Sequence, residues 1–318
     1  MNNNELNNVT TENMNEAKGE MKMGNKELKN RYDFIVLFDV ENGNPNGDPD
    51  TNMPRIDPET NLGLVTDVCL KRKIRNYIET VKEDCDGYKI YVKKGSCLNL
   101  NDMQACKSLN VDSVEKLKKL KSTDKDIDMK IRDYMCRNYY DIRTFGAVMT
   151  TFQKAALNCG QVKGAVQLGF ANSIDPIFNQ DVTLTRVAIT TEKDLEKKTT
   201  EIGRKNIVPY GLYKVKGRIS ANIANKSGFT EDDLELLWQA IINMFENDGS
   251  AARGYMAVRE LIVFKHESKL GNCSSHKLFD AISVKRKDDV LYPRKYQDYI
   301  VEIDEEKIPE SVEMIRMI

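Results

Sequence analysis

Residues 32–50, YDFIVLFDVENGNPNGDPD, join a strand signal directly to a turn signal. Tyr32–Val40 is rich in aromatic and branched residues, the composition of a buried strand. It runs straight into Glu41–Asp50, where Asn, Gly, Pro and Asp crowd so densely that only a turn or loop can form. Residues 66–82 then predict a helix. Leu70, Ile74, Tyr77, Ile78 and Val81 fall at helical spacing, while Lys71, Arg72 and Arg75 lie off that stripe. Thr66 and Asp67 suit its first turn.

Further along, residues 83–140 alternate polar stretches with short helical patterns (Val114, Leu117, Leu120; Ile127, Ile131, Tyr134, Met135), which predicts a peripheral insertion. Strand-like segments return at 141–152, 164–172 and 182–190. Residues 191–206 are polar, and Ile207–Ile223 is extended again, broken by Pro209, Gly211 and Gly217. A second helix is signalled at 231–246. Thr230 and Asp233 form a capping box, Leu234, Leu237, Trp238, Ile241 and Phe245 form the stripe, and Gly249 follows the end. Ala257–Lys265 is a last strong strand. Reduced to these elements the order is β-α-insertion-β-β-hairpin-α-β, an α+β chain of the ferredoxin-like split βαβ kind. Many functions use that arrangement, so it does not choose among them.

Composition narrows the field. A chain of 318 residues, 40% apolar and 31% charged, can bury one large core. Its longest apolar run near the start, Phe34–Phe38, is far short of the roughly 18–20 residues of a membrane span. The first thirty residues hold nine Asn, five Glu and four Lys and no apolar h-region, which predicts a disordered tail at 1–30 and no secretory signal. Seven cysteines without a C-x-x-C pair predict reduced thiols and a cytoplasmic address. The two histidines, His266 and His276, have no neighbouring Cys pair, so a structural zinc is not expected.

Chemical motifs are few. Asn42, Asn44, Asn46 and Gly47 imitate the first half of a calcium loop, but its twelfth position is Met53. Asp39, Asp48 and Asp50 could hold a divalent metal for phosphodiester cleavage, although such spacing is too common to be specific. No phosphate-binding glycine motif and no nucleophile triad pattern occurs. Charge distribution says more. Residues 298–318 carry −5 of a total of −1, so the rest carries +4. Lys71, Arg72, Lys73 and Arg75 crowd one helix, and Arg204, Lys205, Lys214, Lys216 and Arg218 line one extended region. Lys71 and Arg75 are four apart and share a helix face that can meet a phosphate backbone. Two such clusters beside Gly/Asn-rich loops favour RNA as the partner.

The motifs FDVENGNPNGDPD (38–50), LVTDVCLKRKIRNYI (64–78), DIRTFGAV (141–148), GQVKGAVQLGFANSIDPI (160–177), GRKNIVPYGLYKVKGRISA (203–221), SAARGYMAVRELIVFKHESKLGN (250–272) and SHKLFD (275–280) resemble, in order, the type I-C CRISPR-associated backbone protein. That family is the repeated RNA-binding subunit of the Cascade surveillance complex. The resemblance implies an RRM-like palm over residues 31–290, a helical fingers insertion at about 83–140 and a β-hairpin thumb at about 186–217, followed by an acidic segment at 291–318. It also implies a non-catalytic scaffold that polymerises along CRISPR RNA as a helical filament. Such a scaffold presents the guide for pairing with a target DNA strand in antiviral defence.

Its partners would be further copies of itself, a guide-processing subunit, a large subunit and a recruited helicase-nuclease, with no cofactor and no membrane. Carried onto this chain, the motifs imply RNA contact by Asn44, Asn46, Thr66, Lys71, Arg72, Arg75, Arg143, Gln161, Lys163, Arg204, Lys205 and Arg253. The alternative is a metal-dependent ribonuclease using Asp48 or Asp50.

Overall fold

The computed structural model describes residues 26–111, 113–154 and 158–318. In chain order, β1 (Tyr32–Gly43) and β2 (Leu62–Val65) lead into α1 (Asp67–Lys82). Helices α2 (Leu98–Ser108), α3 (Val114–Thr123), α4 (Ile127–Asn138) and α5 (Tyr140–Phe145) follow, then β3 (Gly146–Val148), α6 (Thr150–Lys154) and β4 (Gln161–Lys163). Next come β5 (Val166–Leu168), β6 (Ala171–Pro176), β7 (Gln180–Arg186), a turn of helix α7 (Glu192–Leu195) and the long β8 (Glu201–Ile219). Helices α8 (Ala221–Ser227) and α9 (Glu231–Asn243) precede β9 (Tyr255–His266). The chain ends with α10 (Ser275–Asp280), β10 (Ile282–Arg286), β11 (Tyr299–Ile303) and β12 (Val312–Arg316).

The fold is mixed α/β around an antiparallel sheet in the order β12–β9–β1–β8–β6–β2, with β5 and β7 also pairing along β8. All nine residues of Tyr32–Val40 are buried. The strand's two-residue period sends Phe34, Val36, Phe38 and Val40 to one face, against Leu70, Ile74 and Ile78 of α1 and Leu234, Leu237, Trp238 and Ile241 of α9. Ile35 and Leu37 go to the other face, against Leu278, Phe279, Ile282 and Tyr299. Trp238 meets Phe34 edge-on at 5.2 Å, and Phe38 stacks on Tyr213 at 5.3 Å. Opposite Phe34 stands Gly217, where a Cβ would lie 2.1 Å from the ring, so only glycine fits there.

Helix α9 opens on the expected capping box, with both reciprocal Thr230–Asp233 bonds present, and ends at Asn243 rather than 246. Several expectations need correction. The strand expected at 141–152 is helix α5, then β3 and the start of α6. All six α5 residues are buried, so the segment shows neither alternation nor an amphipathic stripe, and periodicity cannot separate it from a buried strand. The insertion expected to end at 140 has a small core of its own, which includes Ile131, Met135, Met149, Phe152 and Val162 and so runs past that boundary.

Of the expected tail, residues 1–25 lie outside the described residues. Its last five pack on the fold: Leu28 is fully buried and Glu27 bridges to Thr230. The extended ribbon beyond the sheet is β7 paired with Glu201–Ile207, whereas Val208–Ile219 lies in the main sheet against β1. The acidic end is structured. Strand β12 extends the sheet beside β9, where Arg316 pairs with the buried Glu260.

Candidate nucleic-acid interface

The Gly/Asn-rich loop after β1 is held from both sides. Asn42 has a left-handed backbone (φ 50°), and Gly43 passes so close to the chain at Arg253 that a Cβ would sit 1.7 Å from its carbonyl oxygen. The Asn44 N–H donates to Ala252 O at 2.9 Å, and its side-chain amide donates to Asn52 O at 2.9 Å. Asn46 Oδ1 accepts from the N–H and the hydroxyl of Thr66. Asp48 caps the turn: one oxygen accepts from Asp50 N–H at 3.0 Å and the other lies 3.1 Å from Arg55 Nη1. These polar side chains therefore shape the loop itself.

Beside the loop lies a cleft of about 480 Å³. Asn44 to Gly47 form one wall, Arg204, Lys205 and Asn206 at the outer end of β8 a second, and Ser250, Ala252 and Arg253 before β9 a third. Five residues expected to touch RNA, from three distant parts of the chain, are thereby brought together: Asn44, Asn46, Arg204, Lys205 and Arg253. Arg204 is 76% exposed, and the Lys205 ammonium donates to Ala251 O at 2.7 Å. Arg253 donates to Asp248 O at 2.6 Å and pairs with its carboxylate at 2.7 Å. The second carboxylate oxygen of Asp248 pairs with Lys73, which is buried on α1.

Asp248 thus anchors the 249–253 loop to the first helix, and sequence reading misses it. One Asp in a loop has no local signature, and Lys73 looks like any other member of a basic cluster.

The remaining candidates divide. Thr66 is the N-cap of α1, Lys71 pairs with Asp67 at 2.8 Å, and Arg72 is partly exposed. Gln161 and Lys163 are exposed on either side of buried Val162. Lys163 pairs with Gly146 next to Phe145, over whose ring Lys71 lies at 5.8 Å. Arg75 and Arg143 turn inward instead. Arg75 Nε bonds Asp141 at 2.8 Å, and that carboxylate also accepts from the N–H groups of Tyr91 and Val92. Arg143 makes a two-pronged pair with Asp233 (2.7 and 2.8 Å) and donates to Gly87 O, with its guanidinium 5.4 and 5.1 Å from the stacked rings of Tyr88 and Tyr140. Burial disfavours the Arg143 charge, but Asp233 outweighs it and raises its pKa.

Position along β8 also divides its basic stretch: Arg204 and Lys205 lie in the outer part paired with β7, the other three in the part paired with β1. Lys214 donates to Ile282 O, Lys216 lies over the Phe279 ring, and Arg218 reaches Asp33, all toward the α10 side. The carboxylate Asp39 is buried within the sheet, bonded to Arg259 and the Tyr210 hydroxyl, and desolvation raises its pKa despite both. Among the described residues, no three or more His, Cys, Asp or Glu side chains gather to hold a metal ion. All seven cysteines are free thiols. No helix among the described residues is long and apolar enough to cross a membrane.

Comparison with known proteins adds three findings. The profile of the family described as CRISPR-associated protein Cas7 matches residues 30–304. A CRISPR-associated protein Cas7 of Haloferax volcanii is 27% identical over 235 residues, covering 67% of this chain. The match spans 65% of that relative, just under two thirds of its length. Similar solved structures include a CRISPR RNA-guided surveillance complex, pre-nicking (TM-score 0.45, 14% identity, 74% of this chain and 78% of that one). Another CRISPR RNA-guided surveillance complex has a TM-score of 0.43 at 11% identity, over 74% of this chain and 68% of that one.

Proposed function

Because the chain belongs to the CRISPR-associated protein Cas7 family, we propose that it is the repeated guide-binding backbone subunit of a type I-C surveillance complex. The observation that carries this reading is the cleft in which Asn44, Asn46, Arg204, Lys205 and Arg253 meet. Its cations and loop amides suit phosphates and ribose, and a subunit that must hold any guide sequence has to ignore base edges. In this reading β1, α1, β6, β8, α9 and β9 are the ferredoxin-like palm. Their spatial order β9–β1–β8–β6 is the fourth, first, third and second strand of that motif.

The helical insertion with its own core is the fingers, and the ribbon of β7 with Glu201–Ile207 of β8 is the thumb. Copies stack along CRISPR RNA, since a head-to-tail interface that does not close generates a helix. The guide stays open to a target DNA strand. Guide processing, the large subunit and the helicase-nuclease belong to other chains, and this one is a cytoplasmic scaffold without catalysis.

The test is assembly on guides of increasing length, about 30, 45 and 60 nucleotides, read by native mass measurement. Copy number should rise in step with length, and the RNA should stay intact in Mg²⁺ or Mn²⁺. A fixed copy number would refute the backbone role. Cutting that disappears in Asp48→Ala or Asp50→Ala would instead establish the ribonuclease alternative.

A further inference from the structure

A larger cleft, of about 850 Å³, lies elsewhere along β8 and shares no lining residue with the first. It is walled by Pro209–Gly211 of β8, by Asp175–Phe178 at the end of β6 and by residues of the 286–299 segment. Phe178 and Tyr292 stand in it with 73% and 72% of their surfaces exposed, and Leu291 beside them is 69% exposed. Arg286 and Arg294 also line it. Their guanidiniums donate to carbonyl oxygens, Leu291 O at 3.0 Å and Pro293 O at 3.0 Å, and among the described residues neither is in an ion pair. An adjoining cleft of about 390 Å³ shares Arg286 and Asp175 and adds Lys287, Asp288 and Lys285, the last paired with Glu302 at 3.3 Å. Residues 285–295 sum to +3 even with Asp288 and Asp289 counted. The carboxylate on the floor, Asp175, is already bonded to the Tyr299 hydroxyl at 2.9 Å.

Unneutralised guanidiniums call for an anion. The two rings line the cleft yet keep nearly three quarters of their surfaces exposed, so their faces are free to stack on bases beside the guanidiniums. We propose that this cleft is a second binding site, for single-stranded nucleic acid, with Phe178 and Tyr292 as stacking platforms and Arg286 and Arg294 as phosphate contacts. The site is separate from the guide-binding cleft and does not depend on it. On a guide-bound subunit it would hold a strand other than the guide.

The test is equilibrium binding of fluorescein-labelled (dT)15 to the purified full chain in a Lys205→Gln/Arg253→Gln background, which removes two cations of the first cleft. Adding Phe178→Ala/Tyr292→Ala is expected to weaken binding about tenfold or more, since stacking a base on one ring commonly contributes a factor of about 5 to 150. Both rings are exposed, so the thermal midpoint should not move. Arg286→Gln/Arg294→Gln should weaken binding and flatten its salt dependence. Photocrosslinking of a 5-bromodeoxyuridine version should label the peptide that holds Tyr292 or Phe178. Unchanged affinity in both double variants would overturn the proposal. It would also fall if a labelled peptide of Glu and Phe bound in preference to (dT)15 and lost binding with the same substitutions, because the cleft would then dock a protein. If Lys205→Gln/Arg253→Gln alone leaves RNA binding untouched while the ring pair abolishes (dT)15 binding, the guide-cleft reading fails and this one stands.

Discussion

The side-chain oxygen of Asn46 accepts from the backbone N–H of Thr66 at 2.9 Å and from its hydroxyl at 3.0 Å. The same hydroxyl oxygen accepts from Cys69 N–H at 3.2 Å, which caps α1. Loop and helix start are therefore one polar unit. Two side chains proposed to touch RNA also hold each other in place.

Removing the amide should expose that double role. Asn46→Ala is expected to cost about 1–2 kcal/mol, because two donors lose their acceptor. Amide exchange across residues 42–54 should quicken, and RNA affinity should drop although no charge is lost. A drop in affinity with unchanged exchange would make Asn46 a direct contact and not a positioning residue.

The two cations of the cleft should behave differently. Lys205→Gln/Arg253→Gln keeps polar groups able to bond Ala251 O and Asp248 O but removes the Arg253–Asp248 ion pair, so exchange should quicken in the 249–253 loop while residues 42–54 stay as in the wild-type protein. Binding to single-stranded RNA should weaken for every sequence alike, and the slope of log affinity against log salt should become shallower by about 1.4, roughly 0.7 for each phosphate that is no longer neutralised. An unchanged slope would place the phosphates elsewhere.

Much of the frame is legible in the sequence because its signals are local. Tyr32–Val40 announces a buried strand by composition, and Thr230 with Asp233 marks the start of α9 within four residues. Where partners are remote the signal fades. Nothing near Arg75 or Arg143 reveals Asp141, 66 residues on, or Asp233, 90 residues on. Cations that lie off an apolar stripe read as solvent-facing until a carboxylate from another element is seen to meet them. Lys205 and Lys214 lie on one strand, yet one lines the cleft and the other donates to Ile282 O on the α10 side. Short buried helices such as α5 lack the exposed face that periodicity needs.

Arg143 makes this division measurable. Its pair with Asp233 is buried at both ends, so Arg143→Ala leaves a carboxylate without its counter-charge. The expected loss is about 3–5 kcal/mol in denaturant unfolding. RNA affinity per folded molecule, and its salt slope, should not change. A variant of wild-type stability that binds RNA poorly would return Arg143 to the interface.

Two acids on β1 should respond to pH with opposite sign. Asp33 is fully buried; burial pushes its pKa up, but His266, Arg31 and Ser275 outweigh burial and hold it below the usual carboxylate value. His266 Nδ1 accepts from Asn272 N–H, which leaves Nε2 to donate to Asp33 at 2.8 Å. A lowered folded-state pKa gives stability that is complete above the unfolded value, near 4, and fades as pH falls through the folded value. Asp39 is the reverse case: desolvation exceeds the help of Arg259 and Tyr210 and raises its pKa, so its contribution falls as pH rises through the interval above the unfolded value. Asp33→Asn should therefore be clearly less stable than wild type at pH 7, with the gap closing below about pH 4. Asp39→Asn should show a gap that shifts the opposite way over the acid range. Parallel unfolding curves for both variants from pH 3 to 7 would show that neither carboxylate's ionisation is coupled to folding.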